Sequence, residues 1–144
     1  MEAILLKQAT IIDPSSNFHE KKVDIRITDG VITEIATELA PESASETIVQ
    51  SDALYVSQGW LDMRAQFSDP GNEEKETLRT GLETASRGGF TAVVLSPLTT
   101  PKIQSKADIS YLKNNADNQP TEIIPAVTLS KDAKGEDLNE LYDA

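Results

Sequence analysis

The sequence predicts an α/β chain in two parts: a small antiparallel β unit over residues 1–56, then alternating strands and helices over residues 57–144. Three observations carry this. The stretch VDIRITDGVITEIA alternates apolar and polar residues on both sides of Asp29-Gly30, a hairpin signal in which Asp-Gly supplies the positive φ of the turn. FTAVVL, residues 90–95, is a continuous β-branched apolar run, as in strands buried on both faces. Between and after such strands lie helical patterns, repeating with a βα period of about 30 residues.

The elements follow in order. Ala3–Ile12 reads as strand, closed by Asp13-Pro14. Val23–Ile27 and Val31–Ile35 form the hairpin, Pro41–Ser51 is polar and turn-like, and Asp52–Val56 offers one more short strand. Trp60–Gln66 is the first strand of the second part. Asn72 can cap a helix with Glu73, Glu74 and Glu76 in its first turns, where the helix dipole favours anions. Leu78, Leu82 and Ala85 continue a helical packing stripe that Gly88-Gly89 ends. Ser105, with Asp108 three residues later, starts a second helix in the manner of a capping box. Thr121–Leu129 is a third strand, and Glu136–Tyr142 begins a further helix. Strand–helix alternation implies parallel strands joined by right-handed crossovers. Three such units fit an open doubly wound sheet or the opening of a TIM-type (β/α)8 barrel. A closed barrel takes about 200–250 residues, so this chain would hold an incomplete one.

Composition narrows the function. Net charge is −11 over 144 residues, with no basic cluster, which speaks against nucleic acid and anionic membrane as partners. There is no cysteine, hence no disulfide or thiolate chemistry, and no apolar run long enough for a membrane span or signal peptide. A soluble cytoplasmic protein is expected. His19 is the only histidine, in a polar stretch, and reads as a solvated loop residue. A zinc site built within the chain would have to rely on carboxylates.

In both α/β architectures ligands bind at the carboxyl ends of the strands. The first such end is GWLDMRAQFSDPG, residues 59–71. Strict alternation would put Asp62, Arg64, Gln66 and Ser68 on one face and Leu61, Met63, Ala65 and Phe67 on the other. The second end is SPLTTP, residues 96–101, and the third is Thr128–Lys131. Ser86-Arg87-Gly88-Gly89 precedes a strand instead of linking strand to helix, so it is no phosphate loop. Asp62 reads as structural, Asp69-Pro70-Gly71 as a turn, and Trp60 as a core or interdomain residue.

The order of these features resembles the dihydroorotases of the amidohydrolase superfamily. Their plan is a small β unit, then P-G-[FWL]-[IL]-D-M-H-x-H-x-R-x-P-G, a Glu-rich helix ending in G-G-[FV]-T, and a strand ending in M-P-N-T-x-P. The match is carried by VSQGWLDMRAQFSDPGNEEKETLRTGLETASRGGFTAVVLSPLTTP, residues 56–101. The resemblance implies a metal-dependent, normally zinc-bearing, barrel hydrolase of cyclic amides. The scaffold positions fit, among them Asp62, Pro70, Gly71, Gly88, Gly89, Phe90, Thr91, Pro97, Thr99 and Pro101. The site positions do not. Arg64 and Gln66 stand where the family has its two metal-binding histidines, Ser68 where an arginine holds the substrate carboxylate, and Leu98 where an asparagine contacts it.

An arginine has no lone pair to give a metal and stays charged. A glutamine oxygen suits hard cations and is a poor zinc ligand, and Leu98 cannot hold a carboxylate. Arg64 would instead pair with an inward carboxylate, such as Asp62. The resemblance therefore implies a homologue with a degenerate metal site, no cofactor and no catalytic residue. Its role would be that of a structural or regulatory partner in pyrimidine synthesis, since inactive family members act as partners of aspartate transcarbamoylase. The rival is an active cyclic amidohydrolase with ligands outside this segment. The sequence further predicts an N-terminal portion of a longer protein, completed by the remainder of its own barrel, a homo-oligomer at full length, and poorly behaved as a monomer because its sheet edge is open.

Overall fold

The computed structural model describes residues 3–140. It divides into two compact units, Met1–Gln58 and Gly59–Ala144.

The first unit is a five-stranded sheet centred on β1 (Ala3–Ile12). β2 (Lys22–Thr28) and β3 (Val31–Ala36) follow as the expected antiparallel hairpin. Asp29 and Gly30 have φ of 49° and 80°, as a two-residue turn with both central φ positive requires. The antiparallel expectation stops there. β4 (Thr47–Gln50) and β5 (Tyr55–Ser57) both pair with β1 in parallel, one beside each half of that long strand. Residues 41–51, expected to be turn throughout, thus contribute β4. The polar lead-in to β4 is fixed from inside. The Arg26 side chain, 6% exposed, donates to Glu46 Oε1 at 3.0 Å and to the Ala40 carbonyl at 2.6 Å, and pairs with Glu42 and Glu34. Ala9, Ile11, Val23 and Ile25 form the apolar core.

The second unit is a three-stranded parallel sheet in the order β6 (Trp60–Ala65), β7 (Phe90–Leu95), β8 (Glu122–Pro125). It carries α1 (Leu78–Arg87) and α2 (Lys106–Asn115) as its crossovers. Ala65, Leu78, Leu82, Val93, Leu95, Ile103, Leu112 and Ile123 close the core between sheet and helices. Leu78 and Leu82 are fully buried and Ala85 packs against them, so the apolar stripe lies where expected. α2 begins at its expected cap, with Asp108 N donating to Ser105 Oγ at 3.3 Å and Ser105 N to Asp108 Oδ2 at 2.9 Å.

Three element readings change. α1 starts at Leu78, not after Asn72: Thr77 and Thr80 form a reciprocal capping box, Glu73 and Glu74 sit in a turn before it, and Glu76 lies in the extended lead to the cap. The third strand ends at Pro125: one more bond to β7 follows, Ala126 N to the Leu95 carbonyl at 3.0 Å, and the chain then turns away, with Thr128 N bonding the Ile103 carbonyl. Residues 136–140 are not helical. Ser130 and Leu138 form an isolated bridge, and the rest of the expected last helix falls outside the described residues. Trp60 is 64% exposed and so is no core residue of its unit; its ring lies over Gly89.

Candidate functional site at the carboxyl ends of the strands

A cleft of about 560 Å³ opens where β6, β7 and β8 end. Met63 and Arg64 enter it from β6, Ser96, Pro97 and Leu98 from the loop after β7, and Ala126 to Ser130 from the chain after β8. Lys134 and Gly135 close one side.

The alternation expected along β6 is broken before it reaches this cleft. Asp62 pairs with Val93 and Ala65 with Leu95, so β6 spends three steps where β7 spends two. That extra residue is a β-bulge. Val93 and Leu95 belong to the helix-side core, so Asp62 and Ala65, their register partners, share that side. Met63 and Arg64 turn to the other face, into the cleft. Asp62 and Arg64 therefore do not form the expected charge pair. Asp62 Oδ1 accepts the main-chain N–H of Arg64 at 2.8 Å instead, which pins the bulge. Among the described residues the Arg64 guanidinium makes no ion pair. Gln66 is exposed just past the strand, Ser68 is half-buried with its carbonyl taking Asn72 N–H, and Leu98 is 45% exposed in the cleft wall.

The residues present do not suit zinc. Among the described residues there is no group of three or more His, Cys, Asp or Glu side chains that could hold a metal ion. His19 lies in the first unit, with Nδ1 accepting Asp13 N–H at 3.2 Å. Among the described residues that line the cleft, the charged groups are the two cations Arg64 and Lys134.

Beside the cleft, a different residue organises the loops. Asp69 follows the β6 end; its Oδ2 accepts the N–H of Leu78, the first residue of α1, at 3.0 Å. Its Oδ1 accepts the Tyr111 hydroxyl, on α2, at 3.0 Å. One carboxylate thus ties the strand end to both helices. The bond to Asp69 holds the Tyr111 phenol proton and raises its pKa, reinforced by burial and by the charges of Asp69 and Glu73. Gly71, at φ 112°, sits so close to Thr100 that an added Cβ would lie 2.1 Å from the Thr100 carbonyl oxygen. Glu73 Oε1 caps the Gly71 N–H at 2.8 Å, which lowers the Glu73 pKa. The sequence showed Asp69 only as a turn residue. No local spacing links it to Tyr111, 42 positions on, so only the packed helices reveal the contact.

No protein-family model matches the chain. Among curated proteins it is 37% identical to a dihydroorotase of Citrifermentans bemidjiense and 35% identical to one of Caldanaerobacter subterraneus, each over 139 residues. Those matches cover 96% of this chain but 32% and 31% of the relatives, so it spans about a third of the length of the dihydroorotases it matches. In fold it is similar to an L-hydantoinase from Arthrobacter aurescens, at TM-score 0.73 and 19% identity, over 90% of this chain and 28% of the other. It is also similar to a crystallised dihydroorotase, at TM-score 0.61 and 18% identity, over 92% and 32% of the two chains. An N-terminal β unit, a run of parallel βα units and 37% identity across 96% of its length make this chain a homologue of about a third of a dihydroorotase, in a fold shared with part of an L-hydantoinase.

Proposed function

We propose that this chain is part of a dihydroorotase-like protein that does not hydrolyse a cyclic amide by the zinc route and serves as a structural or regulatory partner in pyrimidine synthesis. The observation that carries this is Arg64. It stands where the resemblance places the first metal-binding histidine, and it projects into the cleft at the strand ends. Opening a cyclic amide at neutral pH calls for a metal that lowers the pKa of water and polarises the carbonyl. A permanently charged guanidinium offers no lone pair and repels a divalent cation placed beside it. Gln66, Ser68 and Leu98 remove the second ligand and both expected contacts to a substrate carboxylate, so binding and activation are weakened together. Aspartate transcarbamoylase is the proposed partner, through the resemblance to inactive family members that associate with it.

The test is elemental analysis of the whole protein carrying this chain, purified without chelator, alongside a dihydroorotate hydrolysis assay. We expect less than about a tenth of an equivalent of zinc, manganese or iron, no hydrolysis, and co-purification with aspartate transcarbamoylase. A stoichiometric metal with hydrolysis would replace this reading by that of an active cyclic amidohydrolase, whose ligands come from outside residues 1–144.

A further inference from the structure

We infer that residues 39–46 form a proton-sensitive strap on the first unit. Two buried carboxylates, Asp24 and Glu46, latch it through bonds that only their ionised forms make, and protonation opens it while the strands behind it stay paired. Every contact involved lies within the first unit, so the strap is independent of the cleft and of the proposed function. The main chain of the strap bonds chiefly to charged side chains. Leu39 N–H donates to Asp24 Oδ2 at 2.8 Å, and Glu42 N–H to Glu46 Oε2 at 3.0 Å. The Leu39 carbonyl accepts Lys7 Nζ at 2.9 Å, and the Ala40 carbonyl accepts Arg26 Nη2 at 2.6 Å. Leu39 is the one buried apolar side chain of the segment, so little apolar burial backs these bonds.

Both carboxylates use both oxygens as acceptors. Asp24 is fully buried; its Oδ1 takes Gln8 N–H at 2.8 Å, and its Oδ2 takes Leu39 N–H and the Lys7 ammonium. Gln8, at φ 56°, sits in the bulge of β1, where the neighbour of that strand changes from β4 to β5. The Glu46 side chain is 1% exposed; its Oε1 takes Arg26 Nε at 3.0 Å and its Oε2 takes Glu42 N–H. These partners are donors, so the O–H of a protonated carboxyl would meet an N–H and each proton taken up breaks a bond of the latch. Neutral Glu46 also leaves the buried Arg26 guanidinium without its buried counter-charge. Among the described residues the charged groups around the latch are Lys7 on β1, Asp24 and Arg26 on β2, Glu34 on β3, and Glu42 and Glu46 of the strap. Glu34 and Glu42 are exposed and have water as an alternative partner. Burial opposes ionisation of Asp24, but its bonds to Lys7, Gln8 and Leu39 outweigh it; the Glu42 N–H, against burial and with Arg26, likewise holds the Glu46 carboxyl low. A lowered folded value means that the latch is complete above about pH 4 and is lost as pH falls.

The experiment is hydrogen–deuterium exchange, read by mass spectrometry, on the whole protein carrying this chain. Peptides over the strap are compared with peptides over the β2–β3 hairpin, each rate divided by the intrinsic rate at that pH. Between about pH 6 and about pH 3 the strap should lose about tenfold or more of its protection, because opening grows by up to about tenfold per pH unit for each proton taken up. The hairpin should keep its protection over the same range. Glu46→Gln supplies one acceptor oxygen in place of two, so its strap should exchange about tenfold faster at pH 6 and rise less steeply in acid. Three results would each overturn the inference: strap and hairpin losing protection together, a strap whose protection is the same at both pH values, or a Glu46→Gln strap with the original rate and acid rise. Should Glu46→Gln fail to fold, as judged by circular dichroism, the pH profiles of strap and hairpin in the unmodified protein decide the matter.

Discussion

Replacing Asp69 tests whether one carboxylate holds the strand end to both helices. In Asp69→Ala the N–H of Leu78 loses its acceptor at the first position of α1, and the Tyr111 hydroxyl loses its partner on α2. A lost N-terminal capping contact costs about 1 kcal/mol. A lost neutral-to-charged hydrogen bond to a partly exposed phenol costs about 1 kcal/mol more, at the low end because water can replace it. The expected destabilisation is about 2 kcal/mol, halved to about 1 kcal/mol in Asp69→Asn, which keeps one carbonyl acceptor. Denaturant unfolding followed by fluorescence reports on this unit, because Trp60 is the only tryptophan and lies within it. A second readout is independent of stability. The Asp69 contact holds the Tyr111 pKa up, so Asp69→Asn should bring that phenol back toward its ordinary value in a spectrophotometric titration. The sign follows: folding holds the proton, so this contribution is complete below about pH 10 and is lost as pH rises through the folded value. A loss smaller than about 0.5 kcal/mol together with an unmoved tyrosine titration would refute the reasoning.

Three further outcomes are expected. Leu82→Ala empties a fully buried site between sheet and helices and should cost about 2–5 kcal/mol by the same unfolding assay. Gly71→Ala forces a side chain into a φ of 112° and against the Thr100 carbonyl, and should cost about 3 kcal/mol or more, or block folding of the unit. In the first unit, burial opposes ionisation of Asp24, but the Lys7 ammonium and the N–H groups of Gln8 and Leu39 outweigh it and lower its pKa. That stabilisation is present above about pH 4, the unfolded value, and is lost as pH falls through the folded one. Asp24→Asn should therefore flatten the acid limb of the first unit's stability curve, measured by circular dichroism between pH 6 and about pH 2.

The parts of this fold that were legible in the sequence are those whose cause is local. The Asp29-Gly30 turn needs positive φ at two adjacent residues, and the Ser105–Asp108 capping box closes within one turn. The errors share the opposite property. β4 depends on Arg26 reaching from another strand to Glu42 and Glu46. The start of α1 is not legible locally, because the acidic residues after Asn72 and the Thr77–Thr80 box offer competing caps, and packing of Leu78 against the sheet selects between them. At the candidate site the four divergent positions are visible as residue types, but not that only Arg64 and Leu98 of them line the cleft. A bulge moves every later side chain of a strand to the other side, and strict alternation carries no signal for it.

That bulge also explains how the scaffold and the site can diverge independently. The groups that fix the strand end are the Asp62 carboxylate on the Arg64 main-chain N–H, the Asp69 carboxylate on α1 and α2, and the glycine at 71 beneath Thr100. None of these contacts uses the side chain of Arg64, Gln66, Ser68 or Leu98. Asp62 in particular bonds the backbone of residue 64 whatever that residue is, so exchanging its side chain changes the chemistry of the cleft and leaves the bulge intact. The cleft's charge is then set by side chains that the fold does not need. The arginine at position 64 thus lines the cleft without its side chain entering any of the hydrogen bonds that fix the end of β6.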